Sequence, residues 1–357
     1  MLSEPLRLAT LAAERAGGDE AASRSRVYWR RASRAARRFH LTAAVLTLGL
    51  LTLGCRSAPP IADQAAGEAS QTVGAPSAGV VGDLRLVPFA SRIFGNTRTL
   101  RVLLPPGYDS SENRSLRYPV LYLNDGQNLF DSSTAVLNSM EWRVDETVQA
   151  MMTAGQLPPL IVVGIDNAGR RDRFKEYFPW FDEYLTPPEP NPQGKRFPSF
   201  LIDEVLPFIE ARYRVTRDPR RRVVGGSSAG ALAALYAVVA RPGVFGGLLV
   251  ESPSLYVDNY HILTDAAAVP TWPRRVYLGV GTNESNSGQC DPNASAEPQL
   301  LQDVRRLIQT LERSGVDSSR TRLVVTPCGM HNEAAWAARL PTALSFLFPR
   351  PEEGGKR

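Results

Sequence analysis

The chain has 357 residues, 43% of them hydrophobic and 22% charged, with 28 Gly, 28 Pro and three Cys. That composition excludes collagen-like, coiled-coil and wholly disordered chains. The formal charge of +5 lies entirely in residues 1–54, which hold nine Arg against four acids; the other 32 bases and 32 acids cancel, so a nucleic-acid-binding body is disfavoured.

The N-terminus has the pattern of an export signal. Seven Arg lie between Arg24 and Arg38, followed by an uncharged apolar run, 41–54, and then Cys55. A basic stretch before a short apolar one is a signal-peptide pattern. The 14 apolar residues fall short of the roughly 20 that a spanning helix needs. Leu51-Thr52-Leu53-Gly54-Cys55 resembles a bacterial lipobox, with Thr52 where Leu is more usual. The resemblance implies lipidation at Cys55 and a place in the bacterial cell envelope, facing the periplasm or the exterior. An uncleaved anchor or plain secretion are the alternatives. Arg37-Arg38 is a weak twin-arginine candidate. Residues 55–82, rich in Ala, Ser, Gly and Pro, cannot bury a core and are expected to be a flexible tether. Residues 350–357 are expected to be a disordered tail.

From 83 to 349 the apolar pattern alternates strands and helices. Strands are expected at 84–93, 97–104, 118–123, 160–165, 222–225, 246–250, 275–280 and 322–326. Helices are expected at 141–154, 198–213, 229–240, 299–314 and 332–348. Apolar strand runs separated by helical segments predict an α/β domain with a mostly parallel sheet, covered by helices on both faces.

Gly226-Ser227-Ser228-Ala229-Gly230 fits G-x-S-x-G with Ser228 at its centre. Its position between an expected strand and an expected helix is that of a nucleophile elbow. Side chains two residues either side of Ser would clash in so tight a turn, hence Gly226 and Gly230. The alternative is a closely packed strand–helix turn with no chemistry. A Ser hydroxyl needs a base, and the chain has three His. His40 lies in the export signal. His261 follows Ser252-Pro253-Ser254 and fits an ordinary surface or core position. His331, between the last strand and the last helix, stands where the order Ser, acid, His requires the base. The acid should follow the strand before it, which points to Glu284, with Asp291 in reserve. The oxyanion hole needs two backbone N–H groups. Ala229 supplies one. The loop 124–128 offers Gln127, with Gly126 expected to let the backbone turn that amide inward.

At these residues the chain resembles the esterase branch of the α/β-hydrolases, which includes ferric-siderophore, feruloyl and acetyl-xylan esterases, S-formylglutathione hydrolases and mycolyltransferases. The resemblance runs through Leu104-Pro105-Pro106-Gly107-Tyr108, Asp125-Gly126-Gln127-Asn128-Leu129-Phe130, Gly164-Ile165-Asp166-Asn167 and Glu176-Tyr177. It continues through the Ser228 elbow, Ser252-Pro253-Ser254, Gly281-Thr282-Asn283-Glu284 and Gly329-Met330-His331-Asn332-Glu333. It implies the α/β-hydrolase fold and a triad of Ser228, Glu284 and His331. The function expected is a serine carboxylic-ester hydrolase acting through an acyl-enzyme on a small-molecule or sugar-linked ester. An acyltransferase of the same fold and a tethered binding module are the alternatives. No metal or organic cofactor is expected, because no His/Cys ligand spacing is present. Nucleic acid is not an expected partner, and membrane contact is expected only through the Cys55 lipid.

The stretch 170–184 is the most distinctive, and six of its eleven residues from 174 onward are aromatic. The stretch follows a strand end, so it is expected to border the site. Arg171, Arg173, Tyr177 and Trp180 are its candidate substrate-binding residues, with packing of an insertion as the alternative. The prolines at 187, 188, 190 and 192 suggest a semi-rigid lid. Finally, Cys290 follows Glu284 by six residues and Cys328 precedes His331 by three. In an α/β-hydrolase those two loops must meet, so a Cys290–Cys328 disulfide is expected, with two buried free thiols as the alternative.

Overall fold

The computed structural model describes residues 79–350, apart from 137–139, 171, 184 and 293–296. The expected export signal, Cys55, nearly all of the tether, Arg171 and residues 351–357 lie outside the described residues. No helix among the described residues is long and apolar enough to cross a membrane.

One sheet organises the described chain. Its strands are β1 (Asp83–Ser91), β2 (Asn96–Leu104), β3 (Val120–Asn124), β4 (Ile161–Ile165), β5 (Arg222–Ser227), β6 (Gly247–Glu251), β7 (Arg275–Asn283) and β8 (Thr321–Met330). They lie in the order β1-β2-β4-β3-β5-β6-β7-β8. β1 and β2 pair antiparallel, β2 meets β4 antiparallel, and every pairing from β4 to β8 is parallel.

The helices are α1 (Val144–Thr153), α2 (Arg173–Tyr177), α3 (Leu206–Arg212), α4 (Ser228–Ala240), α5 (Val257–Ala267), α6 (Gln299–Arg313) and α7 (Glu333–Leu347). Strand periodicity divides the core. Val120 and Tyr122 of β3 join one apolar cluster with residues of α3, α4, α5 and α6. Leu121 and Leu123 join a second, with Val148 of α1 and Trp336 and Leu340 of α7. Successive side chains of a strand point to opposite faces, so a strand buried on both sides reads as a continuous apolar run. α4, apolar all round in sequence, is buried along most of its length.

Three departures from the expected elements have local causes. The helix expected over 198–213 is present as one unbroken helical stretch from Phe197 to Arg212, but Phe200–Val205 within it is π-helical before α3 begins. Pro207 has no N–H to donate to the preceding turn. α2 is a single short turn, and α5 carries Asp258, Asn259 and Tyr260 at φ of 50°, 52° and 64°, which removes the helical periodicity there. Just before Asp83, the Val81 N–H donates to Asp145 at 2.7 Å.

Candidate active site

β5 ends on Ser227 in extended backbone, and α4 begins on Ser228 at φ 55°. A non-glycine residue held there costs on the order of 1–3 kcal/mol, so the surroundings must impose it. Gly226 and Gly230 make the turn sterically possible. A Cβ on Gly226 would stand 2.9 Å from the Gly230 carbonyl, and one on Gly230 would stand 2.8 Å from Asp125 Oδ2. The Asn124 amide donates to the Gly230 carbonyl at 2.8 Å, and the Ser254 N–H donates to the Ser228 carbonyl at 3.2 Å. Ser228 is half-buried, and the Ala229 N–H lies in the first turn of α4, where amides lack intrahelical acceptors.

Glu284 and His331 meet across the ends of β7 and β8. Glu284 Oε2 lies 2.8 Å from His331 Nδ1. Its Oε1 accepts the Ser252 hydroxyl at 2.8 Å and the Gly281 N–H at 2.5 Å. Burial opposes the Glu284 charge, but hydrogen bonds from His331, Gly281 and Ser252 outweigh it and hold the carboxyl below its ordinary range. The Trp336 indole N–H donates to Ser252 Oγ at 3.0 Å. An indole can only donate, which leaves the single Ser252 proton to Glu284. The Trp336 ring also meets the His331 ring edge-on, at 5.3 Å. No hydrogen bond joins His331 to Ser228 among the described residues; catalytic contacts of this kind often tighten only around substrate.

The two loops are strapped together. Cys290 and Cys328 form a disulfide with a Cα–Cα distance of 5.7 Å. The Cys328 N–H donates to Thr282 Oγ1, and the His331 N–H donates to Asn286 Oδ1, both at 2.8 Å. Asp291 is exposed. His261 sits elsewhere, on α5, stacked on Trp180 at 4.5 Å with Nδ1 3.0 Å from Asp258.

The loop after β3 forms a 3-10 turn, Gly126–Asn128. Its own hydrogen bonds run from Asn128 N–H to the Asp125 carbonyl and from Leu129 N–H to that of Gly126, leaving the Gln127 N–H outside them. The role expected of Gly126 is corrected. Asp125 is the left-handed residue, at φ 59°. Gly126 is needed for contact instead: a Cβ there would stand 2.7 Å from the Gly164 carbonyl carbon in β4.

The aromatic stretch clamps this loop. Arg173 donates twice to the Asp125 carboxylate, at 2.8 and 2.7 Å, and Asn167 donates to it at 2.7 Å. The Asp125 N–H donates to the Tyr177 hydroxyl at 3.2 Å. Tyr177 is 1% exposed, and burial pushes its phenol well above the ordinary range. Trp180 is buried against Tyr236 as well as His261. Arg173, Tyr177 and Trp180 thus each touch protein groups, and Arg171 lies outside the described residues. The proline loop is tied at its end, where the N–H groups of Gln193 and Gly194 donate to the Lys175 and Phe178 carbonyls. Asp125, Asn167 and Ser252 lie in motifs that carry the resemblance, but no role was expected of them, and Trp336 stands in none of those motifs. Their signal is tertiary.

The chain is similar to known proteins in sequence and in fold. Residues 91–347 match the sequence model of a family described as "Putative esterase". The uncharacterized protein YbbA of Bacillus subtilis (strain 168) is 25% identical over 256 residues, which is 71% of this chain and 93% of that protein. A siderophore enterobactin esterase of Emericella nidulans is 31% identical over 155 residues, covering 41% of this chain and 49% of that protein. The crystal structure of an IroE-like serine hydrolase from Shewanella oneidensis has a TM-score of 0.57 at 22% identity, over 74% of this chain and 80% of that one. That likeness concerns the fold.

Proposed function

Since the chain belongs to the esterase family, has the α/β-hydrolase fold and is a carboxylic-ester hydrolase, we propose that it acts through a Ser228–Glu284–His331 triad and an acyl-enzyme. The observation that carries this reading is the left-handed Ser228 after β5, at the same C-terminal edge of the parallel strands as the Glu284–His331 pair at the ends of β7 and β8. His331 Nδ1–H, fixed by Glu284, leaves Nε2 to take the Ser228 proton as Oγ attacks the ester carbonyl. The N–H groups of Gln127 and Ala229 hold the oxyanion. His331 then gives its proton to the leaving alcohol, and water, deprotonated by the same ring, releases the acid.

The substrate class we propose is an ester with an aromatic acyl group, such as a siderophore or feruloyl ester. Tyr256 and Met330 are 41% and 40% exposed. Tyr256 is two residues from Ser254, which bonds the Ser228 carbonyl, and Met330 adjoins His331. Exposed apolar side chains at those places suit an aryl group. The proposal extends to the N-terminus: residues 1–54 direct export, Cys55 carries a lipid, and residues up to 82 tether the domain 83–349 in the cell envelope.

Two variants test the nucleophile. Ser228→Ala should lower turnover of a nitrophenyl ester by about 10⁴-fold or more with the fold intact, and Ser227→Ala should cost far less. Comparable losses for both would overturn the assignment. Rates on catecholate trilactones, feruloyl sugars and acetyl sugars test the acyl group, with acetyl preference as the contrary result.

A further inference from the structure

The charges of the described chain cancel in sum but not in space. Residues 211–222 carry six Arg against one Asp. This segment leads into the N-terminal end of β5, at the opposite edge of the parallel strands from Ser228. Other arginines precede neighbouring strands at the same edge: Arg117 before β3, Arg274 before β7 and Arg320 before β8.

The loops bearing them are stitched into one row. The Tyr118 N–H donates to the Arg214 carbonyl, Gly246 N–H to that of Arg222, and Arg275 N–H to that of Gly246. Arg320 closes the row by donating to the carbonyls of Trp272 and Pro273. Five strands at about 4.8 Å spacing make the row roughly 19 Å wide.

Carboxylates neutralise only part of it. Glu210 pairs with Arg217 and Arg222, and Asp218 pairs with Arg220. Arg114, Arg117, Arg221 and Arg274 are exposed and make no ion pair among the described residues. Burial, and then the like charge of Arg274, lower the pKa of Arg275. Leu116, 45% exposed, stands between Arg114 and Arg117.

The chain also enters the fold at this edge. Asp83 opens β1 opposite Leu104, and neighbouring Leu103 pairs with Val162 near the start of β4. Just before Asp83 the chain lies along α1, with Gly82 against Gln149 and the Val81 N–H on Asp145.

We propose that this arginine-lined edge docks on the anionic headgroups of a phospholipid bilayer. Guanidinium groups match phosphate by charge and by paired N–H donors, basic groups near an anionic surface add attraction residue by residue, and Leu116 can reach the interface. A nucleic acid fits less well, because no exposed aromatic side chain accompanies these arginines to stack on bases. Docked this way, the enzyme holds Ser228 at the opposite edge of the parallel strands, about 20 Å from Arg222 along β5. The site then faces solution and takes water-soluble esters.

The test uses the full chain carrying Cys55→Ser, so that no lipid contributes, mixed with vesicles of phosphatidylglycerol or of phosphatidylcholine in sedimentation assays. The apolar N-terminal run affects both vesicle types; the anionic preference reads the charges. We expect at least about tenfold stronger binding to the anionic vesicles, weakened by salt. Arg117→Glu, Arg221→Glu and Arg274→Glu together should abolish that preference while turnover of a soluble ester stays unchanged. Equal binding to both vesicles overturns the proposal. So does a preference that survives the triple variant, which would assign it to the arginines before residue 39. Charge-dependent binding to single-stranded DNA without vesicle preference would name a different partner and equally overturn it. Loss of soluble-ester turnover on anionic vesicles would contradict the orientation.

Discussion

On the β3–β4 side of Ser228 the loop 124–128 is fastened by buried ions, while on the β7–β8 side Glu284 and His331 are fastened mainly by neutral donors and a disulfide. The first side holds Asp125–Arg173, Asp166–Arg101 and Glu176–Arg98, each at 2.7 Å. On the second, Glu284 takes the Ser252 hydroxyl and the Gly281 N–H, and Cys290–Cys328 joins the loops. One buried ion pair, Glu251–Arg339, lies nearby at 2.7 Å. The difference follows from the task proposed for each side. A backbone amide awaiting an oxyanion keeps one charge state, so fixed ions can hold its loop. In the proposed mechanism the imidazole of His331 gains and loses a proton in each cycle. Neutral donors around Glu284 leave its carboxylate as the charge in direct contact with that proton.

The sharpest break of this contrast is Arg173→Ala. It strands the buried Asp125 carboxylate, and removing one partner of a buried pair costs about 3–5 kcal/mol. Denaturant unfolding should show that loss, and turnover should fall by about 100-fold as the Gln127 amide drifts. Unchanged stability would mean that Asp125 is held without its ion.

Reduction of the disulfide should have the next largest effect. The bridge closes a sequence separation of 38 residues, which by the chain-entropy model contributes about 3–4 kcal/mol. Melting temperature and turnover should both drop on reduction, and the unreduced, denatured protein should show no alkylatable thiol at Cys290 or Cys328. Two free thiols there would contradict the bridge.

Ser252→Ala should act more gently, because Gly281 and His331 remain as donors to Glu284. We expect about a tenfold lower kcat with KM unchanged, roughly the worth of one hydrogen bond to a charge. The pH dependence sharpens this. The folded-state pKa of Glu284 is depressed, so the stability it contributes is present above the unfolded value of about 4.3 and is lost as pH falls through the folded one. Losing the Ser252 donor raises that folded value. On acid titration, the variant should therefore lose this contribution at a higher pH than the wild type. Identical acid profiles would show that Ser252 does not stabilise the carboxylate.

Parts of this arrangement were legible in the sequence because backbone sterics write them locally. Gly226 and Gly230 mark a turn that admits no Cβ, and paired strand and helix signals set Ser228 between them. Chain order brought Glu284 and His331 into view, and the meeting of their loops brought in the two Cys. The oxyanion side was read less well. Gly126 looked like the residue that bends the backbone, whereas Asp125 bends it and Gly126 yields space to β4. Arg173 and Tyr177 looked like substrate contacts because aromatic and cationic residues after a strand end suit either role. Both bond to Asp125, some fifty residues earlier in the chain, and local pattern cannot carry that pairing. α5 escaped notice because three left-handed residues break its periodicity.

The claim at the centre is that Ser228 becomes acylated. Incubation with a fluorophosphonate, which labels an activated serine covalently, followed by peptide mass mapping, tests it most directly. The account predicts one adduct per chain, on Ser228, lost in His331→Ala while that variant remains folded. An adduct on Ser227, or none on a protein that still cleaves esters, would contradict it.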